Sequence, residues 1–334
     1  MDFKKLNNIV GWGVFLIATV VYLLTMEPTV SWWDCGEYIS TAYKLQVGHP
    51  PGAPTFQLIG RFFTLFAFGD VTKVALMINI MSCLCSGFTI LFLFWTISMF
   101  AQKIWMKDGD NSPKINQIAV LAASAIGSLA FTFTDSFWFN AVEGEVYAMS
   151  SFFTAITFWA ILKWEKVSDE PDHYRWLILI AYLIGLSIGV HLLNLLAIPA
   201  IVYVVYFKKY KFSWKGFIYS GILSFLLVGF IYVILIPAIV SLAGKFELFF
   251  VNSLGLPFNF GTIFYFALLI ALIIWGLWYS TKKNKPILNA SILSFMFILI
   301  GYSSFFMLVI RANANTPINE NEPKDAVSML SYLK

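Results

Sequence analysis

The sequence predicts an all-α membrane protein, a transmembrane helical bundle of about nine spans, and three observations carry that prediction. First, 59% of its 334 residues are apolar and 12% charged, with a mean hydropathy of +0.78. A soluble domain carries about 45–50% apolar and about 25% charged residues, so polar groups here are too few to cover a globule in water. Second, the apolar residues form continuous runs of membrane-spanning length, not the ten-residue alternations of an outer-membrane barrel. Third, lysines gather between alternate runs, as they do in cytoplasmic loops. The same figures exclude a disordered chain, a disulfide scaffold and a nucleic-acid binder of the basic-patch kind; the net charge of +4 is mild.

The runs fall at residues 9–26, 74–100, 116–134, 146–163, 176–190, 193–207, 216–237, 262–280 and 288–310. A hydrocarbon core about 30 Å thick sets this length. The first run is read as an anchor and not a cleaved leader, because it is long and no small-residue cleavage site follows it. Between Trp176 and Phe207, His191 and Asn194 interrupt a stretch too long for one helix, so two spans joined by a short turn are expected. A long outer loop, 27–73, follows the first span. Within it Tyr38–Gln46 reads as a short amphipathic juxtamembrane helix. Phe56–Phe68 reads as a segment lying along the membrane, with Arg61 snorkelling or meeting a lipid phosphate. Residues 1–310 then form the transmembrane domain. Residues 311–334 begin an outer-face segment in which Asp325–Lys334 starts a helix, as expected of a chain cut from a longer protein.

With the N-terminus in the cytoplasm, the clusters at Lys4–Lys5, Lys103–Lys114, Lys163–Arg175, Lys208–Lys215 and Lys282–Lys285 all fall inside, and they hold most of the 22 basic residues. Most of the 18 acidic residues fall outside, in the longer and more irregular loops. Function is therefore expected at the outer face. Cys35, Cys83 and Cys85 follow no zinc or disulfide spacing. No nucleotide-binding loop, phosphate cradle or HExxH pair is present, and no internal repeat of the transporter kind.

The first outer loop holds Trp33-Asp34-Cys35-Gly36-Glu37 and then His49-Pro50-Pro51-Gly52. Asp34 and Glu37 have the spacing of a capping box, which also turns two carboxylates to one side of a helix, about 60° apart. The residues alone leave both readings open, helix cap and catalytic pair. Two prolines and Gly52 make a rigid turn, which either ends a helix or holds the His49 imidazole toward a phosphate or a carboxylate. The second outer loop sets Glu143 and Glu145 among aromatics beside a span end, costly places unless paired or functional, and Glu145 ranks above Glu143. His191 and Asn194, three residues apart, are expected on one helix face as a hydrogen-bonded pair. Arg311 ends the last span on the outer face, either snorkelling or offering phosphate a bidentate contact.

Trp33-Asp34-Cys35-Gly36-Glu37, His49-Pro50-Pro51-Gly52 and Glu143-Gly144-Glu145-Val146-Tyr147, placed after a first span, resemble the bacterial membrane proteins of the protein O-mannosyltransferase-like family. Those proteins are kin to the animal O-mannosyltransferase that modifies plexin-type receptors. The resemblance implies a GT-C glycosyltransferase bundle in a bacterial inner membrane with its active face periplasmic. It implies a sugar, mannose, on a polyprenyl-phosphate donor, and Ser or Thr of an exported polypeptide as acceptor. It implies that Asp34 is the essential acid of the first outer loop, acting as general base, with Glu37 close behind. On the same expectation Arg311 or Arg61 neutralises the departing phosphate, His49, His191 and Asn194 contact phosphate or sugar, and Glu145 binds sugar hydroxyls. A one-step displacement inverts the anomeric centre. Acidic residues suffice for a divalent metal, but no ligand spacing marks one and no metal ligand is assigned. The rivals are a lipid or glycan acceptor on the same fold, and a transporter or flippase of lipid-linked substrates. The near absence of charge within the spans favours surface chemistry over passage.

Overall fold

The structure, a computed structural model, describes residues 2–333. Among the described residues it is helical without β-strands, apart from one isolated bridge between Val47 and Asn319. The chain divides into two compact units, Met1–Tyr43 with Leu58–Lys166 and Lys44–Gln57 with Val167–Lys334.

The first unit contains α1 (Phe3–Thr25), most of α2 (Cys35–Lys44) and α3 (Pro54–Thr64), then α4 (Val74–Trp105), α5 (Lys114–Thr132), α6 (Asp135–Ala141) and α7 (Val146–Val167). Lipid tails are as apolar as leucine, so helices in a membrane cross where small residues let their backbones approach. Gly87 of α4 is such a place: a Cβ there would lie 2.1 Å from Thr19 Oγ1 of α1. Nearer the start of α1, a Cβ on Gly11 would come within 3.0 Å of Phe94 and Trp95. Tyr22 Oη donates to the Thr132 carbonyl at 3.0 Å and ties α1 to the end of α5. α4 lies at the centre; 61% of its most apolar window is buried.

The second unit contains α8 (Tyr174–Ile188), α9 (Ala197–Lys209), α10 (Trp214–Gly229), α11 (Ile236–Asn252), α12 (Phe260–Lys282), α13 (Pro286–Tyr302), α14 (Phe306–Asn313) and α15 (Ala326–Tyr332). α8 and α13 meet backbone to backbone, since a Cβ on Gly185 would lie 2.4 Å from the Ile298 carbonyl and one on Gly301 2.4 Å from the Leu186 nitrogen. α10 runs into α11 through a single π-turn, Phe230–Leu235. Pro237 at the start of α11 explains that turn: it has no N–H to donate and crowds the carbonyl four residues back, which a wider turn relieves. Glu247, only 1% exposed, caps α12 from the neighbouring α11. Its carboxylate accepts from the Asn259 and Thr262 amides at 2.5 and 2.8 Å and from the Thr262 hydroxyl at 3.0 Å, where a helix start leaves its N–H groups without partners.

Among the described residues, eight helices are long and apolar enough to cross a membrane. The fifth expected span, 176–190, is present as α8, but at 15 residues it measures only about 22 Å. The last expected span is broken by a 3-10 turn, Ser303–Phe305, between α13 and α14. The juxtamembrane helix of the first outer loop starts at Cys35, three residues before the expected Tyr38, and stops at Lys44, ahead of Leu45 with its φ of +48°.

Candidate functional site

In the first unit the loop after α1 and the segment around α6 are laced together. The Glu27 amide donates to the Val142 carbonyl at 3.0 Å, and Trp138 Nε1 donates to Thr25 Oγ1 at 2.9 Å. Asn79, buried at the start of α4, donates to the Glu27 and Thr29 carbonyls at 2.6 and 2.9 Å. Gly144 presses into the same seam, because a Cβ there would lie about 3 Å from Asn79 Oδ1, Ile78 and Ile39. This seam brings the start of α2 beside the short connection between α6 and α7, and so brings four carboxylates into one neighbourhood.

Glu143 is anchored by two side chains. It is buried, accepts from Ser31 Oγ at 2.7 Å and takes a hydrogen bond from the Cys35 thiol. Burial pushes its carboxyl above the usual range, and the Ser31 and Cys35 bonds oppose that shift. Glu145 is buried two residues further on, and its Oε1 accepts from the Val146 amide at 3.2 Å. Burial, then the charges of Glu143 and Glu145, push the Cys35 thiol up to about 12, so it stays protonated and is no nucleophile. Tyr38 is raised as well, first by burial and then by the charges of Glu145, Asp34 and Glu37. Those shared influences place Asp34, Glu37, Glu143 and Glu145 around Cys35 and Tyr38.

Asp34 differs from the buried pair. It stands immediately before α2, its carbonyl accepts from the Tyr38 amide at 2.9 Å, and its side chain is exposed. Glu37 is half-buried in the first turn. Trp33 holds a φ of +58°, which bulky residues seldom adopt and which tends to persist at functional positions. The arrangement offers one accessible carboxylate beside others fixed in the protein. Among the described residues no three His, Cys, Asp or Glu side chains converge as metal ligands.

Arg61 donates to the Tyr43 carbonyl at 2.7 Å and lies over the Tyr43 ring, 5.5 Å from its centre. It serves the last turn of α2, a role that its expected lipid-phosphate contact did not anticipate.

In the second unit the residues 44–52 are held by the C-terminal part of the chain. Arg311 donates through Nε to the Leu45 carbonyl at 2.6 Å and through Nη2 to the Lys44 carbonyl at 3.1 Å. Its two-pronged contact is thus made with backbone at the end of α2, which corrects the picture of a freely snorkelling arginine. The Val47 amide donates to the Ile318 carbonyl at 3.1 Å, and the Glu320 amide returns a bond to the Val47 carbonyl at 3.1 Å. His49 lies in the expected rigid turn, closed by the Gly52 amide on the His49 carbonyl at 2.9 Å. Tyr332, fully buried at the end of α15, donates to the Gly48 carbonyl at 2.6 Å. Asp325 begins α15 with a capping box on Ser328.

His191 and Asn194 do not form the expected pair on one helix face. α8 stops at Ile188, and His191 caps a 3-10 turn, Leu192–Leu196, accepting at Nδ1 from the Leu193 amide at 3.1 Å. Asn194 turns instead to Ser187 Oγ, at 2.7 Å. Gly189 and Val190 end the helix, so the spacing of three no longer sets a common face. Burial holds the His191 imidazole below its ordinary value, so it meets any ligand as a neutral ring.

Ser31, Asn79 and Tyr332 were not singled out from the sequence. Asn79 carried the one usable signal, an amide at the mouth of an otherwise apolar run.

Fold and site define a polytopic helical membrane protein with an acidic centre where the loop after its first span meets the connection between α6 and α7. The chain belongs to the family of the protein O-mannosyl-transferase TMEM260 N-terminal domain, whose model matches residues 34–214. It is 25% identical over 226 residues to protein O-mannosyl-transferase tmem260 of Dictyostelium discoideum, covering 65% of this chain and 26% of that protein. It is 26% identical over 177 residues to protein O-mannosyl-transferase TMEM260 of Mus musculus, covering 53% of this chain and 22% of that one. The chain therefore spans about a quarter of the length of these relatives. No solved structure matches it.

Proposed function

We propose that this chain carries the transfer site of a protein O-mannosyltransferase of GT-C type, moving mannose from a polyprenyl-phosphate donor to Ser or Thr hydroxyls of exported polypeptides. The reading places the site at the periplasmic face of a bacterial inner membrane, with the N-terminus cytoplasmic, in line with the lysine pattern. The observation that carries it is the exposed Asp34 among fixed carboxylates, in a member of a family named for this transfer. A cavity of about 340 Å³ in the second unit supports a lipid-linked donor. Its lining includes the apolar Ile239, Ile270 and Leu299 and the polar Asn259, Thr262 and Lys324.

The chemistry asks little of the protein besides a base and a counter-charge. Phosphate is already a good leaving group. Asp34 takes the proton of the acceptor hydroxyl as that oxygen bonds to the anomeric carbon. The bond from that carbon to the phosphate oxygen breaks, its electron pair leaves with the phosphate, and the anomeric centre inverts. Glu37 orients the acceptor, and Glu145 receives sugar hydroxyls. Within the first unit, Arg61 neutralises phosphate through the N–H groups left over from its carbonyl contact.

The test is transfer from defined polyprenyl-phosphate sugars to a Ser/Thr peptide by the full-length parent, wild type against Asp34→Asn. Asn is as good a helix cap as Asp, so the fold is spared. A fall in kcat of about 10²–10⁴ with little change in KM is expected. Unchanged turnover removes Asp34 as base; donor binding without transfer to any acceptor favours a carrier.

A further inference from the structure

The first unit has a second built pocket, at the far end of its helices from the carboxylates. The 23 residues of α1 alone separate the two by about 35 Å. Here the start of α1 and the ends of α4 and α7 enclose a cavity of about 530 Å³. Three lysines line it, Lys4, Lys163 and Lys166, against a single carboxylate, Asp110. Among the described residues none of the three makes an ion pair, whereas Lys103 nearby is paired with Glu165. Like charges gathered without partners repel, and an anion between them reverses the sign of that interaction.

The rest of the lining is equally pointed. Ser98 Oγ donates to Asn7 Oδ1 at 2.6 Å and receives Gln102 Nε2 at 3.0 Å. The Asn7 carbonyl is thereby engaged, and its amide N–H groups remain as donors at the pocket wall. Lys163 Nζ stands over the Trp159 ring, 5.1 Å from its centre, which fixes where that charge sits. Below the lysines the surface is aromatic, and the Trp12 indole is 47% exposed on the outward side of α1. A soluble anion has no use for that aromatic shelf; a phosphate attached to acyl chains does.

We propose that this pocket binds the phosphate headgroup of an anionic phospholipid from the adjacent leaflet, with the lysines on the phosphate and Trp12 against the first carbons of the chains. Basic pockets between transmembrane helices are suited to such headgroups. The site is separate from the transfer site and does not depend on that assignment.

The experiment is native mass spectrometry of the full chain taken from vesicles of mixed phosphatidylcholine and phosphatidylglycerol. The wild type is expected to retain phosphatidylglycerol about tenfold over phosphatidylcholine. Lys163→Gln with Lys166→Gln is expected to abolish that preference, and Lys282→Gln with Lys283→Gln, a basic pair elsewhere, to keep it. Asn8→Trp fills the pocket without changing charge and is expected to lose the lipid too; if the lysine pair variant fails to fold, this variant decides. Retention at the wild-type level by either pocket variant overturns the proposal. Displacement of the lipid by an equal concentration of glycerol phosphate assigns the pocket to a soluble phosphate and overturns it as well.

Discussion

Tyr332 donates its phenolic O–H to the Gly48 carbonyl at 2.6 Å, across 284 residues of sequence, and so closes the His49-Pro50-Pro51-Gly52 turn with the last helix of the chain. Gly52 makes this possible. It has a φ of +74°, and a Cβ there would lie 2.8 Å from the Tyr332 hydroxyl and 3.0 Å from Leu308.

Gly52→Ala is therefore expected to destabilise the protein by about 1–3 kcal/mol, from backbone strain and overpacking together. Tyr332→Phe costs about 1–2 kcal/mol by leaving the Gly48 carbonyl without this donor. The double variant should cost less than the sum, because removing the hydroxyl relieves the clash but not the φ. Thermal melts of the three variants in one detergent measure this.

The Ser31–Glu143 bond makes a second case. Ser31→Ala leaves a buried carboxylate with one donor fewer and should lower stability by about 1–3 kcal/mol, read by denaturant titration.

Glu143 also predicts a pH dependence. Its carboxyl is raised in the folded state, so the fold holds that proton more tightly than the unfolded chain does. The resulting stability is fully present below the unfolded carboxylate value and is lost as pH rises through the folded one. As pH rises above the ordinary carboxylate range, the wild type should lose stability relative to Glu143→Gln, which has no proton to lose there. Equal slopes for the two proteins in that window contradict the assignment.

Cys35 should be inert. With its thiol raised to about 12, a protein carrying Cys83→Ser and Cys85→Ser should resist alkylation at neutral pH until unfolded. Rapid labelling of the native protein counts against the buried contact with Glu143.

Arg311 separates a structural from a ligand-binding role. Arg311→Gln should cost about 1–3 kcal/mol and speed amide exchange at the end of α2, because the Lys44 and Leu45 carbonyls lose charged donors. A loss of donor affinity with α2 exchange unchanged would instead make it a phosphate residue.

The spans were legible because membrane length and the lysine clusters act through composition and need no tertiary contact. α8 shows the margin: the stretch around His191 does split, but the break at Gly189 leaves one helix of only 15 residues. Asp34, Glu37, Glu143 and Glu145 were legible as acids in a costly place. Their division of labour was not, since it depends on Ser31 lying beside Glu143, and the two are 112 residues apart. Arg61 and Arg311 carried the same message in sequence as any cation near a headgroup. Only the fold shows the helix-end carbonyls of Tyr43, Lys44 and Leu45 that engage them. Glu247 counted as one more outer acid until α12 was seen to begin on it.

The helices of the chain are unevenly buried: α4 lies 61% within the protein, but the long α10–α11 helix and α12 only 11% each. Along these windows the outer helices meet little of the rest of the described protein. Their tilt therefore answers to hydrophobic mismatch, while α4 answers to its protein contacts. α12 begins on Glu247, and α11 carries that residue. A thicker or thinner bilayer is thus felt first by this pair, which makes membrane thickness a variable that any reconstitution of this protein has to set.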